Sequence, residues 1–267
     1  MYGLCAVRQA LALPVVADTM RRSLFRDERL QMDETLIPVR DLFNQWAREG
    51  RDLNLEKERT VAVREALREV GVPKGSNTMV LDVGCTNGFV VRALARRLPD
   101  ATVMGVDISE AMIENARDLT PDDMYNAVFY HGTIFDTALD DERFDLIVAS
   151  DSLYYFVPVA ETLRRVAQLL KPGGQVVILA EYYQENESSH DWPRKSGVPM
   201  ELLSASEYVR ALTENGLEDV FQHYVRYPEG ENWDAWRVEH GTLVTSAFKP
   251  HELSAEDILR DTQAATS

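Results

Sequence analysis

An apolar segment that runs into a glycine turn constrains the fold of this chain more than any other feature. Residues 80–83 read Val-Leu-Asp-Val, and Gly84 and Gly88 follow them. A second apolar segment ends on Asp107, nineteen residues after Gly88. Glycine lets the backbone approach a ligand closely, and a helix N-terminus just beyond it attracts negative charge. Because an acid at the tip of the second strand can accept both hydroxyls of a ribose, we predict a site for an adenosine-containing cofactor.

The spacing of the glycines distinguishes between two kinds of adenosine cofactor. A dinucleotide site requires Gly-x-Gly-x-x-Gly at the turn. Here three residues separate Gly84 from Gly88, and Asp82 stands two residues before Gly84. This spacing departs from a nicotinamide site. Thr86 lies between the glycines. Since a β-branched residue disfavours positive φ, the backbone at Thr86 must either adopt an ordinary conformation or be strained.

Four segments resemble the motifs of class I S-adenosylmethionine-dependent methyltransferases. Residues 82–88, Asp-Val-Gly-Cys-Thr-Asn-Gly, are similar to the family's Asp-x-Gly-x-Gly-x-Gly turn, with Thr86 in place of the middle glycine. Asp107 ends the second strand, and residues 144–150 resemble the family's fourth strand. Residues 169–179, Leu-Leu-Lys-Pro-Gly-Gly-Gln-Val-Val-Ile-Leu, resemble its helix, turn and fifth strand. The resemblance implies S-adenosyl-L-methionine as cofactor and methyl transfer as activity.

Alternating apolar strands and amphipathic helices predict an α/β fold with a parallel sheet wound right-handedly. The resemblance implies a Rossmann-like, doubly wound, seven-stranded, mostly parallel sheet with an antiparallel C-terminal hairpin. The predicted strands cover about residues 78–83, 102–107, 127–131, 144–150, 175–181, 217–226 and 242–248. The predicted helices cover about residues 41–50, 56–70, 89–98, 109–119, 158–170 and 206–215.

A chain of 267 residues is expected to form one α/β domain with extensions. We predict a poorly ordered extension over residues 1–35, a class I methyltransferase domain over 36–249 and a tail over 250–267. Within the domain, residues 36–76 are predicted to form an N-terminal helical cap. Residues 182–203 are predicted to be an insertion on the substrate side.

Charge and composition argue against several partners. A formal net charge of −16 disfavours binding to nucleic acid, which clustered lysine and arginine would drive. No apolar run approaches the roughly 18–20 residues of a membrane helix, so no membrane partner is expected. Cys5 and Cys85 lie far apart, which indicates neither a metal site nor a disulfide framework. A reducing, cytoplasmic location is therefore expected; the oligomeric state stays open.

The resemblance assigns a set of residues to the cofactor. They are Asp82, Gly84, Cys85, Gly88, Asp107, Ile108, Met112, Thr133, Ile134, Phe135 and Ser150. Asp82 would support the ammonium group and Asp107 the ribose hydroxyls, although Asp107 could instead only cap a helix. Thr133 stands where many members place an acid that binds the adenine amino group. The Ile134 backbone and the Phe135 ring are expected to hold the base, unless Phe135 is core filler.

Aromatic and acidic residues after the fourth and fifth strands, with a tryptophan near the N-terminus, are expected to enclose a small-molecule acceptor. They are Trp46, Asp151, Tyr154, Tyr155, Glu181, Tyr182, Tyr183 and Trp192. Such a wall would favour a cationic or amine acceptor through cation–π attraction. Tyr155 and His190 are the candidate catalytic groups. A sulfonium is already an activated leaving group. Alignment of the acceptor with the methyl carbon should therefore matter more than removal of a proton by a base.

The predicted function is methyl transfer from S-adenosylmethionine to a small molecule by in-line displacement. Two alternatives stay open. Thr86 and Thr133 depart from the family pattern, so the chain could bind the cofactor without transferring the methyl group. A nicotinamide-dependent oxidoreductase would explain the strand, glycine, helix and acid, but not the glycine spacing or the Pro172-Gly173-Gly174 turn.

Overall fold

A computed structural model describes most of the chain from residue 34 onward. The described residues are 34–68, 70–71, 75, 77–136, 139–230 and 233–251. The predicted extension therefore lies outside the described residues except for 34 and 35. The predicted tail lies outside them beyond residue 251.

Seven strands form one sheet in the order β3-β2-β1-β4-β5-β7-β6. Their bounds are β1 Met79–Val83, β2 Thr102–Asp107, β3 Ala127–His131, β4 Phe144–Ser150, β5 Leu170–Ala180, β6 Glu218–Val225 and β7 Thr242–Phe248. Strands β1 to β5 pair in parallel, whereas β7 is antiparallel to both β5 and β6. The predicted Rossmann-like sheet with its antiparallel hairpin is confirmed. The strand order reverses between β1 and β4, where ligands bind in open α/β sheets.

Eight α-helices lie in the described part of the chain. They are α1 Ile37–Arg48, α2 Arg51–Arg68, α3 Phe89–Arg97, α4 Glu110–Asp118, α5 Val159–Leu169, α6 Trp192–Ser196, α7 Ala205–Glu214 and α8 Ala235–Glu239. Both α1 and α2 begin earlier than predicted. The sequence pattern did not indicate α6 and α8, since a helix of five residues is too short to show a 3.6-residue period. None of the described helices has both the length and the apolar character needed to cross a bilayer.

The Pro172-Gly173-Gly174 segment lies inside β5 rather than before it. Leu170 already pairs with Phe144, and the register shifts before Gln175 pairs with Leu146. Gly173 has a φ of +77°, which glycine adopts without steric cost. The predicted turn is therefore a bulge in a longer strand, because backbone pairing resumes on both sides of it.

Two apolar layers bury both faces of the sheet, which explains why its central strands are almost continuously apolar. On one face, α2 and α3 cover Val80, Val103 and Val148. On the other face, α5 and α7 cover residues such as Leu81 and Ile147. A third cluster packs α1 and α6 over the carboxyl ends of the strands. The N-terminal helices thus close the edge at which ligands bind.

Gly84 links this edge to the packing of the sheet. Its φ is +72°, and a Cβ added to it would overlap the Cβ of Ser152, which follows β4. Gly197 has the same φ of +72°, but a Cβ there would meet no atom within 4 Å. The two glycines therefore share one backbone conformation and differ in the space around them.

We expect Gly84→Ala to destabilise the protein more than Gly197→Ala. The control should lower the free energy of unfolding by about 1–2 kcal/mol, the cost of a left-handed non-glycine residue. Gly84→Ala should lower it by about 1–3 kcal/mol more, because the methyl group overpacks the contact with Ser152. Urea unfolding of both variants measures the difference. Equal losses would show that this contact is not tight.

Candidate active site

The turn between β1 and α3 adopts an unusual backbone conformation. Gly84 and Gly88 have φ values of +72° and +78°, and Thr86 between them has a φ of +46°. Of the two outcomes expected for Thr86, the structure shows the strained one. A left-handed β-branched residue costs about 1–3 kcal/mol and persists only when its surroundings enforce it. Here the strained backbone directs the Thr86 N–H at Asp107 Oδ2, 2.9 Å away.

Asp107 connects three elements through one buried carboxylate. Its Oδ2 accepts the Thr86 N–H, and its Oδ1 accepts the Ser109 N–H at 2.8 Å. Burial raises the pKa of Asp107 to about 6, while the hydrogen bonds from Ser109 and Thr86 oppose this rise. Each carboxylate oxygen can accept a further hydrogen bond. Ser109 itself caps α4 by accepting the Met112 N–H, so Asp107 is not merely the helix cap.

A cleft of about 480 Å³ opens beside this carboxylate. The strands and their loops contribute predicted site residues to its lining, namely Gly84, Asp107, Ile108, Thr133, Ile134, Asp151 and Tyr155. Leu36, Val39 and Phe43 form an apolar wall from the N-terminal cap. The structure thus brings together residues from four strand ends and α1.

Besides Asp82, five residues predicted to contact the cofactor do not line this cleft. Cys85 and Met112 are buried in the apolar clusters, and Gly88 is the N-cap of α3. Ser150 ends β4 with a buried side chain, while Phe135 is 45% exposed and faces a separate surface depression. Cys85, Gly88, Met112 and Ser150 are buried by packing within the protein, whereas Phe135 lies on another part of the surface.

Asp82 lies behind the cleft, and its carboxylate is incompletely paired. The side chain is buried, and its Oδ2 has no hydrogen-bond partner among the described residues. Burial and the nearby Asp107 carboxylate raise the pKa of Asp82 to about 8, and Arg59 opposes this rise. A buried carboxylate oxygen without a donor is costly, so it marks a place where a ligand donor is missing.

A second cavity of about 1000 Å³ adjoins the cleft and shares Tyr155 with it. Its aromatic lining comprises Trp46, Tyr154, Tyr155, Trp192 and Trp236. Its charged lining comprises Arg51, Glu58, Arg59, Glu181, Lys195, Asp234 and Arg237. Four of the residues predicted for the acceptor site, Trp46, Tyr154, Glu181 and Trp192, therefore meet Tyr155 in one cavity. Asp151 lines the cleft on the other side of Tyr155.

A chain of buried charges runs behind the second cavity. Arg59 Nε lies 3.2 Å from Asp151 Oδ2, and Asp151 Oδ1 accepts the Glu181 N–H at 2.7 Å. Glu181 Oε1 pairs with Arg237, which also lies 3.2 Å from Glu58 Oε2. Burial lowers the pKa of Arg59, but Asp151, Tyr154, Glu181 and Tyr155 together outweigh burial and raise it, so the guanidinium stays charged. Burial raises the pKa of Glu181, the Asp151 carboxylate adds to this rise, and Arg237 opposes it.

Two of the predicted tyrosines do not reach the second cavity. The Tyr182 ring lies between Tyr154, at 5.4 Å, and Trp192, at 6.2 Å, and so supports the cavity wall from behind. Tyr183 is fully buried, and its hydroxyl donates to the Gly241 carbonyl at 3.1 Å.

The two candidate catalytic groups occupy different places. Tyr155 lies where the two cavities meet, and burial raises the pKa of its hydroxyl to about 12. It therefore stays protonated at neutral pH. His190 is exposed, and its Nε2 lies 3.0 Å from the Gln184 carbonyl oxygen. It lines neither cavity, so the structure does not place a histidine base at the site.

Several cavity residues were missed by sequence reasoning. Arg59 carried a signal, because it continues the inward-facing stripe of α2 formed by Leu55, Ala62 and Ala66. A charged residue on an apolar helix face usually has a buried partner. Arg237 gave no comparable signal, since it lies in the five-residue helix α8.

The sheet and its ligand edge define a class of proteins, the Rossmann-like S-adenosylmethionine-dependent methyltransferases. The sequence profile described as "Methyltransferase domain" matches residues 74–232, more than half of the chain. The chain belongs to this family, whose cofactor is S-adenosylmethionine.

Curated relatives match only the central part of this chain. Trans-aconitate 2-methyltransferase of Variovorax paradoxus is 36% identical over 123 residues, 46% of this chain and 45% of the relative. Demethylmenaquinone methyltransferase of Staphylococcus aureus is 32% identical over 117 residues, 43% of this chain and 47% of the relative. The chain therefore spans about half the length of the curated relatives it matches.

Solved structures match over a larger share of the chain. One comes from the complex between the Haloferax volcanii Trm112 methyltransferase activator and a methyltransferase. It is 29% identical, covers 78% of this chain and 98% of its own, and has a TM-score of 0.71. The Haemonchus contortus phosphoethanolamine N-methyltransferase 2 bound to phosphomonomethylethanolamine and S-adenosylhomocysteine has a TM-score of 0.60. At 15% identity, over 79% of this chain and 60% of that chain, it shows the fold alone.

We expect Asp107→Ala to destabilise the protein even without a ligand. The change leaves the buried Thr86 and Ser109 N–H groups without their acceptor, which should lower the free energy of unfolding by at least about 2 kcal/mol. Asp118→Ala, at the exposed end of the following helix, should change it by less than about 0.5 kcal/mol. Chemical unfolding measures both. A loss no larger than that of the control would show that Asp107 does not hold the turn.

Proposed function

We propose that this protein transfers the methyl group of S-adenosylmethionine to a small-molecule acceptor by in-line displacement. The observation that carries the proposal is the pair of cavities that meet at Tyr155. A donor in the cleft and an acceptor in the larger cavity would face each other there. Membership of the methyltransferase family supports the donor, and the aromatic lining supports an organic acceptor of limited size. A cytoplasmic location is part of the proposal.

The residues of the cleft fit this donor. Asp107 keeps acceptor capacity for the two ribose hydroxyls. The unpartnered Oδ2 of Asp82 would be satisfied by the methionine ammonium group, which resolves a buried polar atom that is otherwise unexplained. Ile108 and Ile134 supply apolar walls for the adenine. The Thr133 hydroxyl already accepts the Phe135 N–H at 3.2 Å, so we assign the base to apolar contacts rather than to this hydroxyl.

The chain's own residues act by positioning and by excluding water. When bound, S-adenosylmethionine supplies a methyl group on an activated sulfonium leaving group. Tyr155, protonated at neutral pH, can donate a hydrogen bond to the acceptor where the cavities meet, but cannot serve as its base. The aromatic walls of Tyr154 and Trp192 exclude water from the junction. Fixing both reactants in one geometry removes much of the entropic barrier, and no residue has to activate the leaving group.

A second candidate is a methyltransferase that depends on an activator protein. The Haloferax volcanii complex favours it, because this chain matches 98% of that chain at 29% identity. Activity that depends on adding a Trm112-type protein, on small or macromolecular acceptors, would favour this candidate. Activity of the isolated chain on a small molecule would favour the first.

We expect the protein to bind S-adenosylhomocysteine and not NAD in calorimetric titrations. Incubation with S-adenosylmethionine labelled in its methyl group and a metabolite extract should then give a labelled small-molecule product. Mass spectrometry identifies that product. Binding without transfer to any acceptor, with or without an activator protein, would indicate a noncatalytic cofactor-binding protein. Binding of NAD alone would indicate an oxidoreductase.

We expect the affinity for S-adenosylhomocysteine to increase between pH 5 and pH 7. The ribose hydroxyls donate to the ionised form of Asp107, and its pKa is raised to about 6 by burial. At pH 5 about a tenth of the carboxylate is ionised, so Kd should be about tenfold higher than at pH 7. Calorimetry at both pH values measures this ratio.

Asp107→Asn provides the matched control for this pH dependence. The variant keeps the shape of the side chain but cannot ionise, so it should bind weakly at both pH values and lose the dependence. If the variant kept the same dependence, a group other than Asp107, such as Asp82, would control binding.

A further inference from the structure

Two of the five aromatic rings that line the second cavity already stack against cations of the chain itself. The Arg51 guanidinium carbon lies 4.0 Å from the ring centre of Trp46. That of Arg237 lies 4.4 Å from the ring centre of Trp236. A cation stacked on a ring face occupies the region of negative potential there and repels a second cation from the same face. These two walls therefore do not offer the cation–π site that the sequence led us to expect.

The acids of the cavity are also paired. Arg237 binds Glu181, lies 3.2 Å from Glu58 and lies 3.9 Å from Asp234. One guanidinium thus holds all three carboxylates of the cavity lining. A cationic acceptor would have to compete with Arg237 for them. Arg237 supplies one positive charge for these three carboxylates, so it contacts all of them without neutralising all of their charge.

Arg59 is the exception among these paired charges. Its side chain is buried, and its one ion pair joins Nε to Asp151. The terminal nitrogens Nη1 and Nη2 donate no hydrogen bond to any residue in the described part of the chain. Arg59 lines the second cavity but not the cofactor cleft. The buried Nε also lacks a hydrogen bond, although it lies near Asp151, so the guanidinium as a whole has donor capacity left for an oxygen ligand.

Two further cations stand at the rim of the same cavity. Arg51 and Lys195 are exposed, and neither forms an ion pair with a described residue. The acid nearest to Lys195 along α6, Asp191, pairs instead with Arg194 at 2.9 Å. The cavity lining has four cations and three carboxylates, and so carries one more positive than negative charge; the cations are Arg51, Arg59, Lys195 and Arg237, and the acids are Glu58, Glu181 and Asp234.

We propose that the methyl acceptor is an anion, a small organic acid whose carboxylate binds the two terminal nitrogens of Arg59. Arg51 and Lys195 attract it at the rim. A planar guanidinium end matches a carboxylate with two parallel hydrogen bonds, which gives orientation as well as affinity. This assignment rests on the proposed function, because it names the substrate class of the same site. The aromatic walls would contact the rest of the acid.

The first test asks which metabolites accept the methyl group. An extract is separated on anion and cation exchangers, and each fraction is incubated with labelled S-adenosylmethionine and the full chain. We expect at least about tenfold more labelled product from the fraction that the anion exchanger retains. Label from the cationic or the neutral fraction instead would overturn the proposal.

The second test compares variants on the active fraction. Arg59→Gln should lower the rate at low acceptor concentration at least about tenfold, and Arg59→Lys should restore part of it. Arg64→Gln is the matched control, since Arg64 lies on the same helix with 66% of its side chain exposed.

Because Arg59→Gln leaves Asp151 unpaired, Arg51→Gln and Lys195→Gln are tested as well. These exposed changes should each lower the rate several-fold at low salt, and full activity in both would contradict the role of the rim.

The third test separates two possible sources of the carboxylate, because S-adenosylmethionine carries one too. Calorimetry compares S-adenosylhomocysteine with 5′-methylthioadenosine, which lacks the amino-acid portion. We expect Arg59→Gln to leave both affinities unchanged. If the variant weakened only S-adenosylhomocysteine, Arg59 would bind the donor and the proposal would be wrong.

The fourth test does not depend on methyl transfer and so separates this proposal from the proposed function. Tryptophan fluorescence reports on the cavity, since Trp46, Trp192 and Trp236 line it. With S-adenosylhomocysteine present, succinate should quench the wild-type fluorescence saturably, and 1,4-butanediamine should not. Arg59→Gln should abolish the effect of succinate. Binding of the diamine, or of neither probe, would overturn the anionic assignment even if the protein transfers methyl groups.

Discussion

The active edge of this protein depends on the carboxylate of Asp107. Its two oxygens accept buried N–H groups from Thr86 and Ser109, at 2.9 and 2.8 Å. Each hydrogen bond to a charged group contributes about 1.5–3 kcal/mol, which offsets the roughly 1–3 kcal/mol cost of a left-handed threonine. The motif can therefore tolerate Thr86 in place of glycine. The same carboxylate that fixes the turn is left with the lone pairs that a ribose needs, so structure and proposed binding share one group.

The sheet could be predicted from the sequence, because its strands are buried on both faces and carry almost unbroken apolar runs. The bulge in β5 could not, since a Pro-Gly-Gly segment is compatible with either a turn or an irregular strand. The early start of α2 was missed because Asp52, in its first turn, interrupts the apolar stripe before Leu55. The apolar pattern of the sequence thus predicted the elements that are uniformly buried. It did not predict the bounds of elements whose buried face contains charged residues.

The proximity of the glycine turn to Asp107 could be predicted from the sequence, whereas the charged pairs of the second cavity could not, and the reason is physical. Gly84 and Asp107 belong to adjacent strands, so a short segment of sequence brings them together. The cavity charges come from distant segments: Arg59 meets Asp151, and Glu58 meets Arg237, 179 positions apart. Such pairs exist only once the cap, the sheet and α8 are packed. The aromatic residues in the sequence predicted aromatic walls, but the sequence could not show that Arg51 stacks on Trp46 and Arg237 on Trp236.

The chain combines a net charge of −16 with a cavity whose lining has one more cation than carboxylates. These observations agree once distance and dielectric are considered. Exposed carboxylates act across water and are screened over about 8–10 Å at physiological ionic strength. A buried guanidinium such as Arg59 acts on a bound oxygen at contact, where little water intervenes and the attraction is several times stronger. The net charge therefore governs the interaction of the protein surface with water and dissolved ions. The few charges of the second cavity determine which ligand that cavity can bind.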